Sequence, residues 1–358
     1  MGSTTTTVTK LSVQHIRSHE AFVVKFSPEV TIITGQNGSG KTSLLEAIYV
    51  SLQGTSFKGS DNDMLQKEQQ WWRIDTLLSD EQLRTIKFDS QKATSRKQFL
   101  IDSKTTARIP AKSKYPVVLF EPDDLRLLHG SPARRRQFID RFITQLNPLY
   151  GTTLRKYERA LRQRNNLLKS AYVRDDELFA WNVALADHGA YVIEQRIAFI
   201  EQLNSNLAGL YKEIAGTSDE VSVHYSHTSV GDIKQKLLNE LHAHLERDRY
   251  LGNTSVGPHR HDVIFTINNT PALSVASRGE ARTIVLALKF LEVSIIEQIT
   301  SKSPIILLDD VFSELDTKRQ RALSERTGGY QIIMTTTHVT KDITDYTPSY
   351  LEVSLPDE

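Results

Sequence analysis

The sequence predicts an α/β fold of mixed sheets and helices, interrupted near its middle by an inserted α-helical subdomain. Three observations predict it. A glycine-rich loop, Gly35-Gln36-Asn37-Gly38-Ser39-Gly40-Lys41-Thr42, stands between the β-branched Val30–Thr34 and the apolar-periodic Ser43–Tyr49. A fully apolar run from Pro304 ends in the paired carboxylates Asp309 and Asp310. Between these two stretches, residues from Tyr150 to about Ile214 repeat apolar side chains in steps of three and four, the period of long helices packed on one another.

The first stretch has the form G-x-x-x-x-G-K-[ST], with a strand before it and a helix after it. Glycines let the backbone curl so that successive N–H groups and the helix N-terminus converge on a polyphosphate. Gly35 to Ser43 are the nucleotide-binding candidates. Lys41 is placed to neutralise the β- and γ-phosphate oxygens and Thr42 to ligate Mg²⁺, so ATP and Mg²⁺ are the expected cofactors.

With 358 residues, 39% hydrophobic and 24% charged, the chain has material for a sizeable core in one or two domains. No apolar run approaches a membrane span, and Met1 to Thr7 are polar rather than signal-like. A soluble, cytoplasmic protein without membrane association is expected. The absence of cysteine excludes disulfides and thiolate zinc sites. A net charge of +1 argues against coating nucleic acid by bulk charge and leaves room for a local basic patch.

Taken in order, residues 8–34 read as a hairpin with a polar turn at Arg17–Glu20, followed by the strand that feeds the loop. Short strands such as Leu83–Phe88 and Lys97–Asp102 predict an antiparallel sheet beside the nucleotide, with Trp71 and Trp72 in its core and edge. Tyr115–Phe120 reads as a buried strand, and Glu121–Asp124 as a helix start. From Arg134 to Lys169 ten Lys or Arg face two acids, a local charge of +8 that is either a solvated helix face or a phosphate-contact surface. Helix-like Lys234–Arg249 ends at Gly252. The expected boundaries are 1–148 and 253–358 for the two halves of the α/β domain and 149–252 for the helical subdomain.

Asp309 is the candidate second Mg²⁺ ligand and Asp310 the group that polarises the attacking water, with Lys41 the other catalytic candidate. Aspartate is a methylene shorter than the commoner glutamate base, which predicts slow turnover. Ser277-Arg278-Gly279-Glu280 opens a long apolar helix and forms a second anion site. Because the chain's own phosphate lies on the Gly35–Thr42 loop, this second site implies two subunits sandwiching two nucleotides. Ser313 and Asp316 follow the carboxylate pair, and Thr337 and His338 close a strand expected beside it, as candidates to sense the γ-phosphate. His259-Arg260-His261 is a weak metal pair, lacking carboxylate support.

These motifs together resemble the SMC-like branch of the ABC-type ATPases, and most fully the RecF family. The resemblance rests on the phosphate loop through Tyr49, Gly54–Lys58, Phe120–Asp123 with Gly130–Arg136, Tyr157 with Gln163–Leu168, Gly257-Pro258-His259-Arg260 and Leu307–Asp316. It departs at Arg278-Gly279-Glu280, where the pattern reads Gln-Gly-Gln, and at His261, where the family tends to have aspartate. The resemblance implies an ABC-type ATPase head and an ATP-dependent homodimer that closes on duplex or gapped DNA and hydrolyses ATP slowly. It also implies recombinational repair with RecO- and RecR-type partners to help RecA load. Arg134, Arg135, Arg136, His259 and Arg260 are its candidate DNA contacts. Rival readings are a transporter ATPase, which would lack a helical insertion of this size, and an ATPase-linked nuclease, for which no further acidic cluster follows Asp310. A third is a protein-directed ATP switch that does not bind DNA.

Overall fold

The computed structural model describes residues 5–170, 175–227, 231–339, 341–347 and 349–356; Met1 to Thr4 of the polar N-terminus lie outside the described residues. The chain divides into two units, residues 1–124 with 292–358, and residues 125–291.

In the first unit β1 (Val8–Ile16) and β2 (His19–Lys25) form a hairpin. Its turn is Arg17 and Ser18 alone, tighter than the predicted Arg17–Glu20, because His15 and Arg17 take positive φ and reverse the chain early. β3 (Val30–Thr34) leads through the glycine-rich loop into α1 (Lys41–Gln53). β4 (Trp71–Leu78), β5 (Leu83–Asp89), β6 (Lys97–Ile101) and β7 (Lys104–Thr106) join the hairpin in a six-stranded antiparallel sheet, ordered β2-β1-β4-β5-β6-β7. The two-residue period of a strand separates the tryptophans: Trp72 is fully buried against Phe88, while Trp71 on the other face is 40% exposed. Apolar residues run all round α1, so Leu44, Leu45, Ile48, Val50 and Leu52 bury it in one core that draws on both sheets of the unit. β8 (Val117–Phe120) follows, and the helix start expected at Glu121–Asp124 produces only a 3₁₀ turn, Asp124–Arg126. Asp124 Oδ2 accepts from Glu121 N at 3.1 Å and closes a local turn instead.

The second unit begins with α2 (Pro132–Leu146), which Ser131 caps from Arg134 N with Pro132 in the first turn. α3 (Pro148–Leu168) is capped by Asn147, and α4 (Asp175–Ala215) carries the predicted stripe, burying Leu178, Leu185, Ile193, Ile200, Leu203 and Leu207. β9 (Val221–Tyr225), α5 (Ile233–Ala243) and α6 (Leu245–Leu251) follow; α6 ends at Gly252, left-handed at φ 64°. β10 (Val263–Ile267) pairs antiparallel with β9 and with β11 (Thr270–Pro271), ahead of α7 (Ala272–Val275) and α8 (Arg278–Thr300). This unit is wider than the expected 149–252 and contains a sheet. Asn204 of α4 donates to Val223 O at 2.7 Å and accepts from Val223 N at 2.8 Å, which fastens β9, and through it β10, to the helices.

The first unit resumes within α8 at Glu292. β12 (Ile305–Asp309), α9 (Thr317–Thr327), β13 (Ile332–Thr336), α10 (Lys341–Tyr346) and β14 (Leu351–Ser354) complete it. Its second sheet is parallel throughout in the order β14-β3-β13-β12-β8. β12 and β13 are buried along their whole length, as continuous apolar runs covered on both faces must be. Among the described residues no helix is long and apolar enough to cross a membrane.

Candidate nucleotide site

β3, β12 and β13 are neighbours in the parallel sheet, so the groups at their C-terminal ends converge, where ligands of open α/β sheets bind. Thr42, the second residue of α1, donates from its hydroxyl to Asp309 Oδ1 at 2.8 Å, joining the loop to the apolar strand 267 positions away. Thr335, opposite Asp309 in the register, donates to the same oxygen at 3.0 Å and accepts from Asp310 N at 3.0 Å. Sequence reading missed Thr335; its signal was the Thr335-Thr336-Thr337 run at the end of a strand expected beside Asp309. Ser313 Oγ donates to Asp310 O at 3.0 Å and Oδ1 at 3.1 Å, holding that residue at φ 51°.

Lys41 is buried and donates from Nζ to Gly35 O at 2.6 Å and Gln36 O at 2.7 Å, so the ammonium lies inside the curl of its own loop. Ser39 Oγ is buried there without a hydrogen-bond partner among the described residues. A polar cradle with an orphaned hydroxyl, a lysine and a helix N-terminus fits a polyphosphate, and the Thr42 and Asp309 oxygens are the hard donors that Mg²⁺ takes. Gly40 has φ 87°, and a Cβ there would stand 2.3 Å from His19 Nε2, which itself bonds Gly40 O at 3.1 Å. Gly40→Ala is therefore expected to weaken binding of a fluorescent ATP analogue about tenfold or more, since alanine is strained at this φ and His19 must give up its bond to Gly40 O to admit the methyl group.

Thr337 and His338 are exposed just past β13 and bond each other, Thr337 Oγ1 to His338 Nδ1 at 3.0 Å. Asp316 caps α9 from Arg319 N and pairs with the Arg319 guanidinium. At the start of α8, Ser277 Oγ accepts from Glu280 N at 3.2 Å and Ser277 N donates to Glu280 Oε2 at 2.7 Å. That reciprocal pair is a capping box, so the acid at position 280 secures the helix start that presents Ser277, Arg278 and Gly279.

The candidate DNA contacts divide. Arg135 is buried and donates to both oxygens of Asp262, at 2.8 and 2.7 Å, and to Gly130 O at 2.6 Å. His259 has both ring nitrogens engaged, by Tyr157 OH at 2.6 Å and Thr254 O at 3.0 Å, and burial pushes its pKa down to about 4. It is an uncharged internal group at neutral pH. Both side chains are thus engaged inside the chain, by partners that the sequence did not display. Arg136 donates to His261 O at 2.6 Å and stays partly exposed, as does Arg134; Arg260 is exposed and donates to Thr254 O and Asn253 Oδ1. His261 Nδ1 bonds Tyr225 OH at 2.9 Å, and no metal-binding cluster occurs among the described residues.

A model of the AAA domain matches residues 10–220. The DNA replication and repair protein RecF of Streptococcus suis (strain 05ZYH33) is 37% identical over 339 residues, covering 92% of each chain. That of Lachnoclostridium phytofermentans is 34% identical over 340 residues, again 92% of each. Among solved structures, the recombination mediator protein RecF with ATP, of the RecFOR pathway, superposes with a TM-score of 0.83 at 28% identity over 95% of this chain and 94% of that one. The Smc head domain of Pyrococcus furiosus, at 15% identity and a TM-score of 0.53 over 98% and 94%, shares the fold. Likeness of this degree, running through both units and the nucleotide loop alike, shows that the chain belongs to the RecF family.

Proposed function

We propose that this RecF-family ATPase binds ATP and Mg²⁺, dimerises on ATP, grips duplex and gapped DNA, and hydrolyses ATP slowly, supporting RecA loading with RecO- and RecR-type partners in recombinational repair. The observation that carries the reading is the 2.8 Å bond from Thr42 to Asp309, which joins loop and strand in one oxygen-donor site. The loop N–H groups and Lys41 hold the phosphates, Thr42 and Asp309 hold Mg²⁺, and Asp310 takes the proton of the attacking water. When bound, Mg²⁺ screens the charge on the β- and γ-oxygens. Ser277, Arg278 and Gly279 meet the γ-phosphate of a second subunit, with Thr337 and His338 as sensors and Ser313 and Asp316 shaping the loop between the subunits. DNA is held through its backbone by the exposed basic residues between Arg134 and Lys169.

The test is binding to a gapped duplex, with and without ATP, at two salt concentrations, for the protein and its Lys41→Ala variant. ATP is expected to tighten binding, salt to weaken it, and the variant to lose the ATP effect. DNA ignored under all conditions while ATP still binds would replace this reading with a protein-directed switch.

A further inference from the structure

Within the basic segment, α3 sorts its residues by face. Tyr150, Thr153, Tyr157, Ala160, Arg164 and Leu168 are buried. The opposite face exposes Arg155, Arg159 and Arg162, and Lys169 continues it one residue past the helix end; the four are spaced four, three and seven residues apart. At 100° and 1.5 Å per residue these four lie within an arc of about 80° along a line of about 21 Å. Glu158 is the helix's one acid, set a turn from Arg155 and Arg162.

Three buried arginines of this unit are ion-paired, Arg135 with Asp262, Arg164 with Asp248 and Arg196 with Asp140. Among the described residues Arg159 and Lys169 have no ion pair or side-chain hydrogen bond, and Arg155 donates to the Thr152 hydroxyl. Like charges one turn apart destabilise a helix, and in a chain with 44 basic and 43 acidic residues such a row is not a by-product of composition. It matches a polyanion whose charges repeat along a line: 21 Å covers about six phosphate steps of one strand at 3.4 Å each.

The far end of the row carries a different group. A Cβ on Gly252 would stand 3.4 Å from Lys169 Cγ, so the lysine stem lies against the turn that ends α6. Two residues before that turn, Tyr250 is 91% exposed and makes no hydrogen bond among the described residues. An aromatic ring open to solvent beside a phosphate-binding row is the combination that takes an unpaired base by stacking.

We propose that the exposed face of α3, continued by Lys169, is the DNA-backbone track of this protein and that Tyr250, two residues before the turn against which the Lys169 stem lies, stacks on an unpaired base of the bound DNA. The inference rests on the DNA-binding reading and names the residues that carry it.

The experiment measures anisotropy of a labelled duplex, and of the same duplex carrying a gap, with ATP present and across a salt series. It compares the intact protein with Arg159→Gln/Arg162→Gln/Lys169→Gln, with Tyr250→Ala and with Lys41→Ala. The triple variant is expected to weaken binding of both DNAs tenfold or more and to lower the salt slope by about one per residue. Tyr250→Ala is expected to leave duplex binding intact and to weaken the gapped ligand by roughly tenfold. ATP affinity and melting temperature should stay unchanged in both, because the replaced side chains are exposed.

If the triple variant binds both DNAs like the intact protein while Lys41→Ala still loses the ATP effect, the track lies elsewhere and the proposed function survives. If Tyr250→Ala weakens both DNAs equally or neither, the stacking role is overturned. An intact protein that ignores both DNAs would overturn the proposed function and, with it, the track.

Discussion

Replacing Arg164 with methionine is expected to lower the unfolding free energy by about 3–5 kcal/mol, a large share of the roughly 5–15 kcal/mol that holds a typical domain. Its guanidinium and the Asp248 carboxylate are both fully buried. Nε donates to Asn182 Oδ1 at 2.6 Å, and Nη1 to Asp248 Oδ2 at 2.7 Å and Thr254 Oγ1 at 2.8 Å. Asp248 Oδ1 in turn accepts from Ser255 N at 2.9 Å. One side chain thus fastens α3, α4, α6 and the strand of chain after Gly252. Methionine fills much of the same volume but leaves the carboxylate buried and uncompensated, which is where the cost arises. The melting transition of the 125–291 unit should fall by about 10 °C or more, with hydrogen exchange rising first in α3 and α6. A second replacement, Asp248→Leu, should recover most of the loss, because an apolar pair removes the stranded charge. If Arg164→Met melts like the intact protein, the pair does not hold the unit together.

Arg164 also shows where sequence reading reaches its limit. It was counted in the +8 segment together with Arg135, yet both are buried and bonded internally. A sequence shows the sign of a charge; its burial depends on partners at Asp248 and Asp262, 84 and 127 positions away. What was legible was local. The phosphate loop needs only adjacent residues, the helical stripe of α4 only a period, and Gly252 ended α6 by backbone preference alone. The β9–β10 pairing was not legible, because two five-residue strands separated by two helices carry too little alternation to be matched. Without that pairing nothing in the sequence joins residues beyond 252 to the helical subdomain expected over 149–252. The start of α8 is local in the same way: Ser277-x-x-Glu280 is a capping box, a signature readable in the sequence itself.

Asp310→Asn is expected to reduce ATP turnover by roughly 10² to 10⁴ while leaving ATP binding and ATP-driven dimerisation in place. The choice of asparagine follows from the backbone. Asp310 sits at φ 51°, with its N–H on Thr335 Oγ1 and its carbonyl and carboxylate both accepting from Ser313 Oγ. Few residues accept that conformation; asparagine does so readily, whereas alanine there costs about 1–2 kcal/mol and would confound chemistry with strain. Asparagine also keeps the acceptor for Ser313 and removes only the ability to take a proton. Asp309→Asn should behave differently, because Asp309 Oδ1 accepts from Thr42 and Thr335 and, with Thr42, is proposed to hold Mg²⁺. That variant should lose Mg²⁺-dependent nucleotide affinity as well as turnover. Single-turnover hydrolysis of radiolabelled ATP, read beside sedimentation of the ATP-bound protein, separates the two. A dimer that forms on ATP and persists in Asp310→Asn, but fails to form in Asp309→Asn, assigns the proton to Asp310 and the metal to Asp309. Turnover of Asp310→Asn at the rate of the intact protein would instead leave the attacking water without Asp310 as its base, and the slow hydrolysis expected from a short carboxylate would need another cause.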